Sequence, residues 1–360
     1  MRARHDGDAG PPMNIDDPRS IERADPHRAH EVLSAFPAQC RCALTLVAAP
    51  RLSVSRPSLV VLAGMGGSAA GADLLAACGA ERLDVPVVVH RGYGLPPTVG
   101  PHALVVASSY SGDTEEALSV VETAVERRVP VVTLSAGGRL GELARTRGLP
   151  WVKLPDGLMP RMALGYLFLA SQRVLADAGL AVASDAEIAE AIDVVTALAD
   201  ELAPARPAAR NEAKQLALAV GARMPAIYGG PATGGVAYRW KTDIEENAKR
   251  LALAGAVPEM NHNEVEAWRA PAARETHAIL LRDRDEPAPI ARRFTVLREL
   301  IAEAGGDASE CWARGAGRPA KLLGLAYLGA WTSYYLAVGS GIDPWPVGLL
   351  DELKRRLRTA

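Results

Sequence analysis

Two segments of the sequence carry side chains and glycines that could hold an anionic group. The first, "SSYSGDTEEAL" at residues 108–118, follows the apolar run "ALVVA" and places several hydroxyls just before a predicted helix. One or two hydroxyls suffice to cap a helix, so capping does not account for all of them. The second, "GMGGSAAG" at residues 64–71, also follows an apolar run and precedes a predicted helix.

Both segments suit the binding of a phosphate group. Closely spaced glycines let backbone amides approach an anion at the positive end of a helix, and hydroxyls add further donors. Because both segments follow strands of one predicted parallel sheet, they could share one ligand at its carboxyl edge. The glycine-rich turn offers Gly64, Gly66, Gly67 and Ser68, and the hydroxyl loop offers Ser109, Ser111 and Thr114. Glu115 and Glu116 would repel an anion there unless they point away.

A dinucleotide site is the competing interpretation of the glycine-rich turn. Gly64, Gly66 and Ala69 fit the G-x-G-x-x-A pattern after a strand. An NAD site needs an acidic residue at the end of the next strand, where "VPVVVHRGYG" has His90 and Arg91. NAD is therefore disfavoured and only NADP stays open, beside the further alternative of two structural turns without a ligand.

The elements around these turns indicate an α/β protein. Apolar runs such as "SLVVLA", "ALVVAS" and "VPVVTLSA" alternate with helical segments, which is typical of a parallel sheet covered on both faces. A second cycle of strands and helices follows "ELAPARPAARNEA". We place a flexible leader at 1–30, an N-terminal domain at 31–180, a linker helix at 181–208, a C-terminal domain at 209–342 and a C-terminal helix at 343–360.

The composition excludes several classes of partner. The 360 residues are 49% hydrophobic and 23% charged, as expected for a globular protein. A formal net charge of -2 gives no case for binding nucleic acid or an anionic membrane, and no apolar segment is long enough to cross a bilayer. The four cysteines and seven histidines lack the spacing of a metal or redox site. We therefore expect a cytoplasmic protein without a metal.

Several motifs resemble a known family. "SYSGDT" fits the SxSGxT loop of the sugar-isomerase (SIS) fold, whose domains bind phosphosugars between that loop and a glycine-rich turn. In chain order, "FPAQ", "GMGGS", "YGLP", "MPRMAL", "ENAK", "PEMNHNEVEAW" and "GIDP" with a late "LK" are similar to motifs of the bifunctional phosphoglucose/phosphomannose isomerases of archaea and bacteria. The resemblance covers most of the chain. It implies two tandem SIS-type doubly wound domains, each a parallel sheet flanked by helices, followed by a C-terminal helix.

The resemblance also implies an activity and roles for individual residues. The activity is a cofactor-free and metal-free aldose–ketose isomerase, which interconverts glucose 6-phosphate or mannose 6-phosphate with fructose 6-phosphate through a cis-enediol. The family's phosphate contacts fall on Gly66, Gly67, Ser68, Ser109, Ser111 and Thr114. Its catalytic arginine, base, ring-opening histidine and late lysine fall on Arg161, Glu246, His262 and Lys354, with Lys321 as a rival lysine. Family members are typically dimers whose histidine reaches the neighbouring subunit, so the resemblance implies a homodimer that shares His262 in this way.

These residue types suit the chemistry. A carboxylate can move a proton between adjacent carbons, a histidine can exchange a proton with a ring oxygen, and an arginine can stabilise an enediolate. Glu245 and Glu246 point about 100° apart on a helix, so only one would face the cleft. Lys249 could be a surface ion-pair partner of Glu246, and the tail around Lys354 could be a plain basic helix end. Two other functions stay open, namely a sugar-phosphate-binding regulator without turnover and an isomerase of another phosphosugar.

Overall fold

Two sheets of mostly parallel strands organise the chain in a computed structural model that describes residues 13–54 and 56–357. The first sheet consists of β1 (Ala48–Ala49), β2 (Leu59–Ala63), β3 (Val87–His90), β4 (Ala103–Ser108), β5 (Val131–Ser135) and β6 (Trp151–Lys153). Its order is β1-β6-β5-β4-β2-β3, and β1 with β6 is the antiparallel pair. The second sheet consists of β7 (Met224–Gly229), β8 (Leu253–Ala256), β9 (Thr276–Arg282) and β10 (Asp307–Trp312), in the parallel order β10-β9-β7-β8.

Helices flank both sheets. The N-terminal helices are α1 (Pro18–Ala24), α2 (Ala29–Ser34), α3 (Phe36–Ala43), α4 (Gly66–Gly79), α5 (Glu115–Glu126), α6 (Gly138–Arg147) and α7 (Leu164–Asp177). They are followed by α8 (Asp185–Leu202), α9 (Glu212–Val220), α10 (Gly234–Ala248), α11 (Ala272–Glu275), α12 (Ala288–Glu303), α13 (Arg318–Gly339) and α14 (Gly348–Leu357). No helix in the described part of the chain combines the length and apolar character that crossing a bilayer requires.

The apolar runs of the sequence form the centres of the sheets. Every residue of β4, β5 and β9 is buried, as expected for parallel strands that are covered on both faces. Helix α13 is buried along almost its whole length and packs against α8, α9 and α10. The predicted α/β class, with helix-flanked parallel sheets and a C-terminal helix, is confirmed.

Residues 13–30 differ from the flexible leader that the sequence predicted for 1–30. The Met13 amide donates to the Gly339 carbonyl over 2.9 Å, and Ile15 and Ile21 are buried. The buried Asp25 carboxylate accepts from the Ala29 amide over 2.7 Å and from the Tyr334 hydroxyl over 3.0 Å. A charged, proline-containing composition suggested a leader, whereas these tertiary contacts with α13 order the segment. Residues 1–12 of the predicted leader lie outside the described residues.

Candidate active site

The glycine-rich turn connects β2 to α4 and lies against two other segments. Gly66 has a φ of +50°, a left-handed conformation that glycine adopts without strain. A Cβ atom on Gly64 would lie 3.0 Å from the Ser108 carbonyl oxygen. A Cβ atom on Gly67 would lie 2.8 Å from the Arg161 amide nitrogen. Glycines are therefore required for this turn to approach both the end of β4 and the segment that carries Arg161.

The hydroxyl loop follows β4, which pairs directly with β2, so the two turns meet at one sheet edge. The Tyr110 amide donates to Ser68 Oγ over 3.1 Å and ties the turns together. Ser109 is fully buried, donates to Thr114 Oγ1 over 2.9 Å and accepts from the Gly112 amide. Ser111 is exposed, with the Asp113 amide 3.3 Å from its Oγ. The loop thus combines a buried, structurally engaged hydroxyl with an exposed one.

Arg161 lies in a single 3-10 turn, Pro160–Met162, and is 3% exposed. Its Nε donates to Asn247 Oδ1 over 2.6 Å, and its Nη1 donates to Glu246 Oε2 over 3.2 Å. Its Nη2 donates to the carbonyls of Pro344 and Trp345, both over 2.8 Å. Burial lowers the pKa of Arg161, and the carboxylates of Glu246 and Asp243 oppose that shift. The guanidinium is therefore a fixed, largely desolvated positive charge.

Glu246 and Glu245 have different partners. The Glu246 side chain is 26% exposed and lies against Arg161, whereas Glu245 pairs with Lys241 over 2.7 Å on the same helix. Lys249 does not pair with the Glu246 carboxylate. Its Nζ donates to the backbone carbonyl of Glu246 over 2.6 Å, and burial together with Arg161 lowers its pKa to about 8. Glu246 is thus the carboxylate of this pair that joins the site.

The side chains of His262, Lys354 and the rival Lys321 form no hydrogen bond or ion pair with Arg161 or Glu246. His262 is exposed in the 3-10 turn Glu259–His262, and Lys354 is exposed on α14. Neither side chain makes a hydrogen bond or ion pair with a residue in the described ranges. Lys321 lies about 18 Å along α13 from Ser333, which contacts Asn247.

Lys321 belongs to a cleft of the second sheet. Its Nζ donates to Asp283 Oδ1 over 2.8 Å and also to Asp285. These carboxylates follow β9 and line a cavity of about 500 Å³ with residues 230–233, which follow β7. In the first sheet, the hydroxyl loop after β4 has the place that the loop after β9 has in the second sheet, and it carries serines and a threonine. The second cleft therefore presents carboxylates where the first presents neutral donors.

One histidine at the edge of the site, His27, was not predicted from the sequence. His27 Nδ1 lies 2.7 Å from Asp343 Oδ2, and its ring stacks on Trp345 at an interplanar angle of 14°. Trp345 is also one of the residues whose carbonyls hold Arg161. No motif around His27 signals this contact, because its partners lie more than 300 residues further along the chain. Within the described ranges, no group of three or more His, Cys, Asp or Glu side chains is arranged to hold a metal ion.

Comparisons with known proteins agree with this architecture. Residues 209–357 match the family model of the bacterial phospho-glucose isomerase C-terminal SIS domain. The chain is 36% identical to the bifunctional phosphoglucose/phosphomannose isomerase of Caldicellulosiruptor bescii, over 83% of this chain and 89% of that protein. It is 31% identical to the protein of the same name from Thermoplasma acidophilum, over 83% of this chain and 90% of that one.

A solved structure shows the same fold. It is described as a glucose-6-phosphate isomerase like protein from Thermus thermophilus, with a TM-score of 0.63 and 21% identity. The match covers 95% of this chain and 99% of that one. The fold and the sequence relationships together confirm the resemblance, and the chain belongs to the family of bifunctional phosphoglucose/phosphomannose isomerases as a phosphosugar isomerase.

Proposed function

We propose that the protein interconverts glucose 6-phosphate or mannose 6-phosphate with fructose 6-phosphate through a cis-enediol, without a metal ion. One observation carries this proposal. Arg161 packs through its backbone against Gly67 of the glycine-rich turn and binds Glu246 through its guanidinium. A phosphate group held by the turn would therefore place the rest of a short sugar chain beside a carboxylate and a fixed positive charge.

The proposed phosphate site uses both turns. The amides at the start of α4 and the hydroxyls of Ser68, Ser111 and Thr114 are the donors, as neutral groups at a helix N-terminus. Ser109 orients Thr114 by donating its single hydroxyl proton to Thr114 Oγ1. Glu115 would repel the phosphate if its carboxylate faced the site. The Tyr93 hydroxyl lies within 3.5 Å of Glu115 Oε2 and offers this carboxylate a hydrogen-bond donor. No cationic side chain is needed to hold the phosphate in this arrangement.

The proposed proton transfer uses Glu246 as the base. Its carboxylate removes the C2 proton of the open-chain aldose, and the C1 carbonyl becomes an enediolate oxygen beside Arg161. The same carboxylate then returns the proton to C1 while the proton of the C2 hydroxyl passes to the C1 oxygen, which yields the ketose with its C2 carbonyl and C1 hydroxyl. Arg161 supplies the positive charge that stabilises the enediolate, so the proposal requires no metal ion.

The proton-exchange reaction provides the test of this function. Glucose 6-phosphate, mannose 6-phosphate and fructose 6-phosphate are offered separately to the purified, metal-free protein in deuterated water and followed by NMR. We expect the ketose to form from each aldose, with deuterium at the carbon that receives the proton. Binding without exchange in all three reactions would contradict the proposal and favour a regulator or an isomerase of another phosphosugar.

We expect Ser111→Ala to weaken phosphosugar binding roughly tenfold, the scale of one hydrogen bond to a charged group. Ser111 is exposed and accepts only a long hydrogen bond from the Asp113 amide, so its loss should leave the melting temperature unchanged. Calorimetric titration with fructose 6-phosphate measures the effect. The matched variant Ser309→Ala removes the hydroxyl that contacts His277 in the second sheet and should bind as the wild type does. Equal affinity of the Ser111 variant would remove this residue from the phosphate site.

We further propose that His262 opens the sugar ring in the active site of a second subunit. Its exposure and its lack of partners among the described residues support this role. In a mixture of Glu246→Gln and His262→Asn chains, each mixed dimer would hold one site with both residues intact. We expect about a quarter of wild-type activity after equal mixing and subunit exchange, because half of the dimers are mixed. Activity no higher than that of the separate variants would place His262 in its own subunit's site or outside catalysis.

We propose that Lys354, rather than Lys321, is the active-site lysine near the C-terminus that the family resemblance implies. Lys321 is held by Asp283 and Asp285, and their carboxylates raise its pKa although burial opposes this shift. Lys354 is exposed on α14, a helix that follows directly after the segment whose carbonyls hold Arg161. A lysine on α14 is therefore free to approach the cleft, whereas Lys321 would have to leave a buried ion pair.

A further inference from the structure

A buried ion pair on α10 adjoins Arg161 and has no role in the chemistry described above. Arg239 Nη2 lies 2.7 Å from Asp243 Oδ1, and the two side chains are 3% and 2% exposed. Asp243 Oδ2 and Arg239 Nε are buried and have no hydrogen-bond partner among the residues that the structure describes. Charged groups are rarely buried in this way, because removing them from water is costly.

The ion pair is part of one face of α10 that holds Arg161. Residues 239, 243, 246 and 247 follow the spacing i, i+4, i+7 and i+8, which places their side chains on one side of a helix. Arg239 Nη2 donates to the backbone carbonyl of Arg161. Glu246 and Asn247 accept hydrogen bonds from the guanidinium of Arg161. Helix α10 therefore holds Arg161 at both its backbone and its side chain.

The backbone of Arg161 is also the contact surface of the glycine-rich turn. A Cβ atom on Gly67 would lie 2.8 Å from both the Arg161 amide nitrogen and the Pro160 carbonyl oxygen. The amide of Arg161 thus lies against the proposed phosphate site, and its carbonyl is bound by Arg239. A continuous series of contacts runs from the turn through Arg161 to the helix that carries Glu246.

The charges in this region explain why Arg239 needs a buried partner. Arg239 brings a second guanidinium close to Arg161, and the two positive charges repel each other. Asp243 compensates this charge. Burial raises the pKa of Asp243 to about 7 and nearby Glu246 adds to the shift, whereas Arg239 and Arg161 lower it. Stability alone does not account for the pair, because apolar residues often replace a buried ion pair without loss of stability.

We propose that Arg239 and Asp243 are positioning residues, which fix the backbone of Arg161 between the phosphate-binding turn and α10 so that its guanidinium meets the enediolate and Glu246. This inference rests on the proposed roles of Arg161 and Glu246. Small displacements of a catalytic group lower the rate strongly, whereas ground-state binding of the phosphate depends on the turns. Loss of the pair should therefore lower kcat much more than it changes KM.

The double variant Arg239→Met/Asp243→Leu tests the proposal, because it removes both charges and leaves neither one buried alone. We expect it to fold with a melting temperature close to that of the wild type, to keep KM for fructose 6-phosphate within about threefold and to lose roughly tenfold or more in kcat. Arg239→Gln/Asp243→Asn is the second variant. Its neutral amides can bond to each other, but the shorter glutamine does not reach the Arg161 carbonyl, and we expect the same loss of kcat.

The more exposed pair Lys241–Glu245 provides a matched control. It has the same i, i+4 spacing on the same helix, so Lys241→Met/Glu245→Leu should keep wild-type kcat and KM. A folded Arg239/Asp243 double variant of either kind with kcat within about twofold of the wild type would overturn the positioning role. Wild-type protein and Glu246→Gln are measured in parallel. If the wild type does not isomerise, or Glu246→Gln remains active, the proposed function is wrong and not only this inference.

Discussion

Glu246→Gln is expected to bind fructose 6-phosphate as the wild type does and to lose roughly a thousandfold or more in turnover, near the upper range for loss of a general base. Glutamine has nearly the same shape and can still accept from Arg161 Nη1 through its amide oxygen, so the cleft should keep its structure. It cannot take the proton from C2. Calorimetry measures binding, and deuterium incorporation measures the proton transfer separately from product formation.

Glu245→Gln is the matched control for this prediction. Glu245 is the preceding residue on the same helix, but its carboxylate pairs with Lys241 over 2.7 Å, whereas Arg161 pairs with Glu246. We expect the Glu245 variant to keep wild-type turnover. The reverse result, an active Glu246→Gln and an inactive Glu245→Gln, would transfer the role of the base to Glu245.

Arg161→Lys should lower kcat by about a hundredfold to a thousandfold, the scale observed when one donor to a developing oxyanion is lost. Lysine keeps the positive charge but has one nitrogen instead of three, so it cannot bind Glu246, Asn247 and the two carbonyls together. Several buried acceptors would then lack a donor, which costs about 1–3 kcal/mol for each unsatisfied group. The melting temperature should therefore fall as well.

Steady-state kinetics and thermal unfolding separate the two effects of this variant. Arg173→Lys is the control, because Arg173 forms an exposed ion pair with Asp177 on α7 and should tolerate the change. A reduced melting temperature with unchanged kcat would mean that Arg161 serves only the structure. We expect both quantities to fall, since the contacts that anchor the guanidinium also direct it at Glu246.

The buried strands and the two turns could be predicted from the sequence. The apolar runs predicted buried parallel strands because a strand covered on both faces needs apolar residues at successive positions. The glycine-rich turn and the hydroxyl loop were predicted to meet because the carboxyl ends of neighbouring parallel strands lie at one edge of the sheet. The pairing of β2 with β4 brings them into contact, as the hydrogen bond between Tyr110 and Ser68 shows.

The leader illustrates where local reasoning failed. Its charges and prolines are typical of a flexible segment, yet α1 and the buried Asp25 are ordered by contacts with α13. The hydrogen bond between the Asp25 carboxylate and Tyr334 spans 309 residues. A window of sequence contains no information about such a partner, so composition alone could not predict this order.

The fold class, the two turns and the family could be predicted from the sequence, because they depend on neighbouring residues and on motifs in a fixed order. The folded chain was needed to show that Glu246 is the carboxylate that faces Arg161, that Lys249 binds backbone carbonyls and that Lys321 is held in the second cleft. It also showed Arg239 and Asp243, whose spacing on α10 is visible in the sequence but whose burial is not. The physical reason is that most of these contacts join segments that lie 38 to 86 residues apart, whereas the others depend on which helix face packing removes from water.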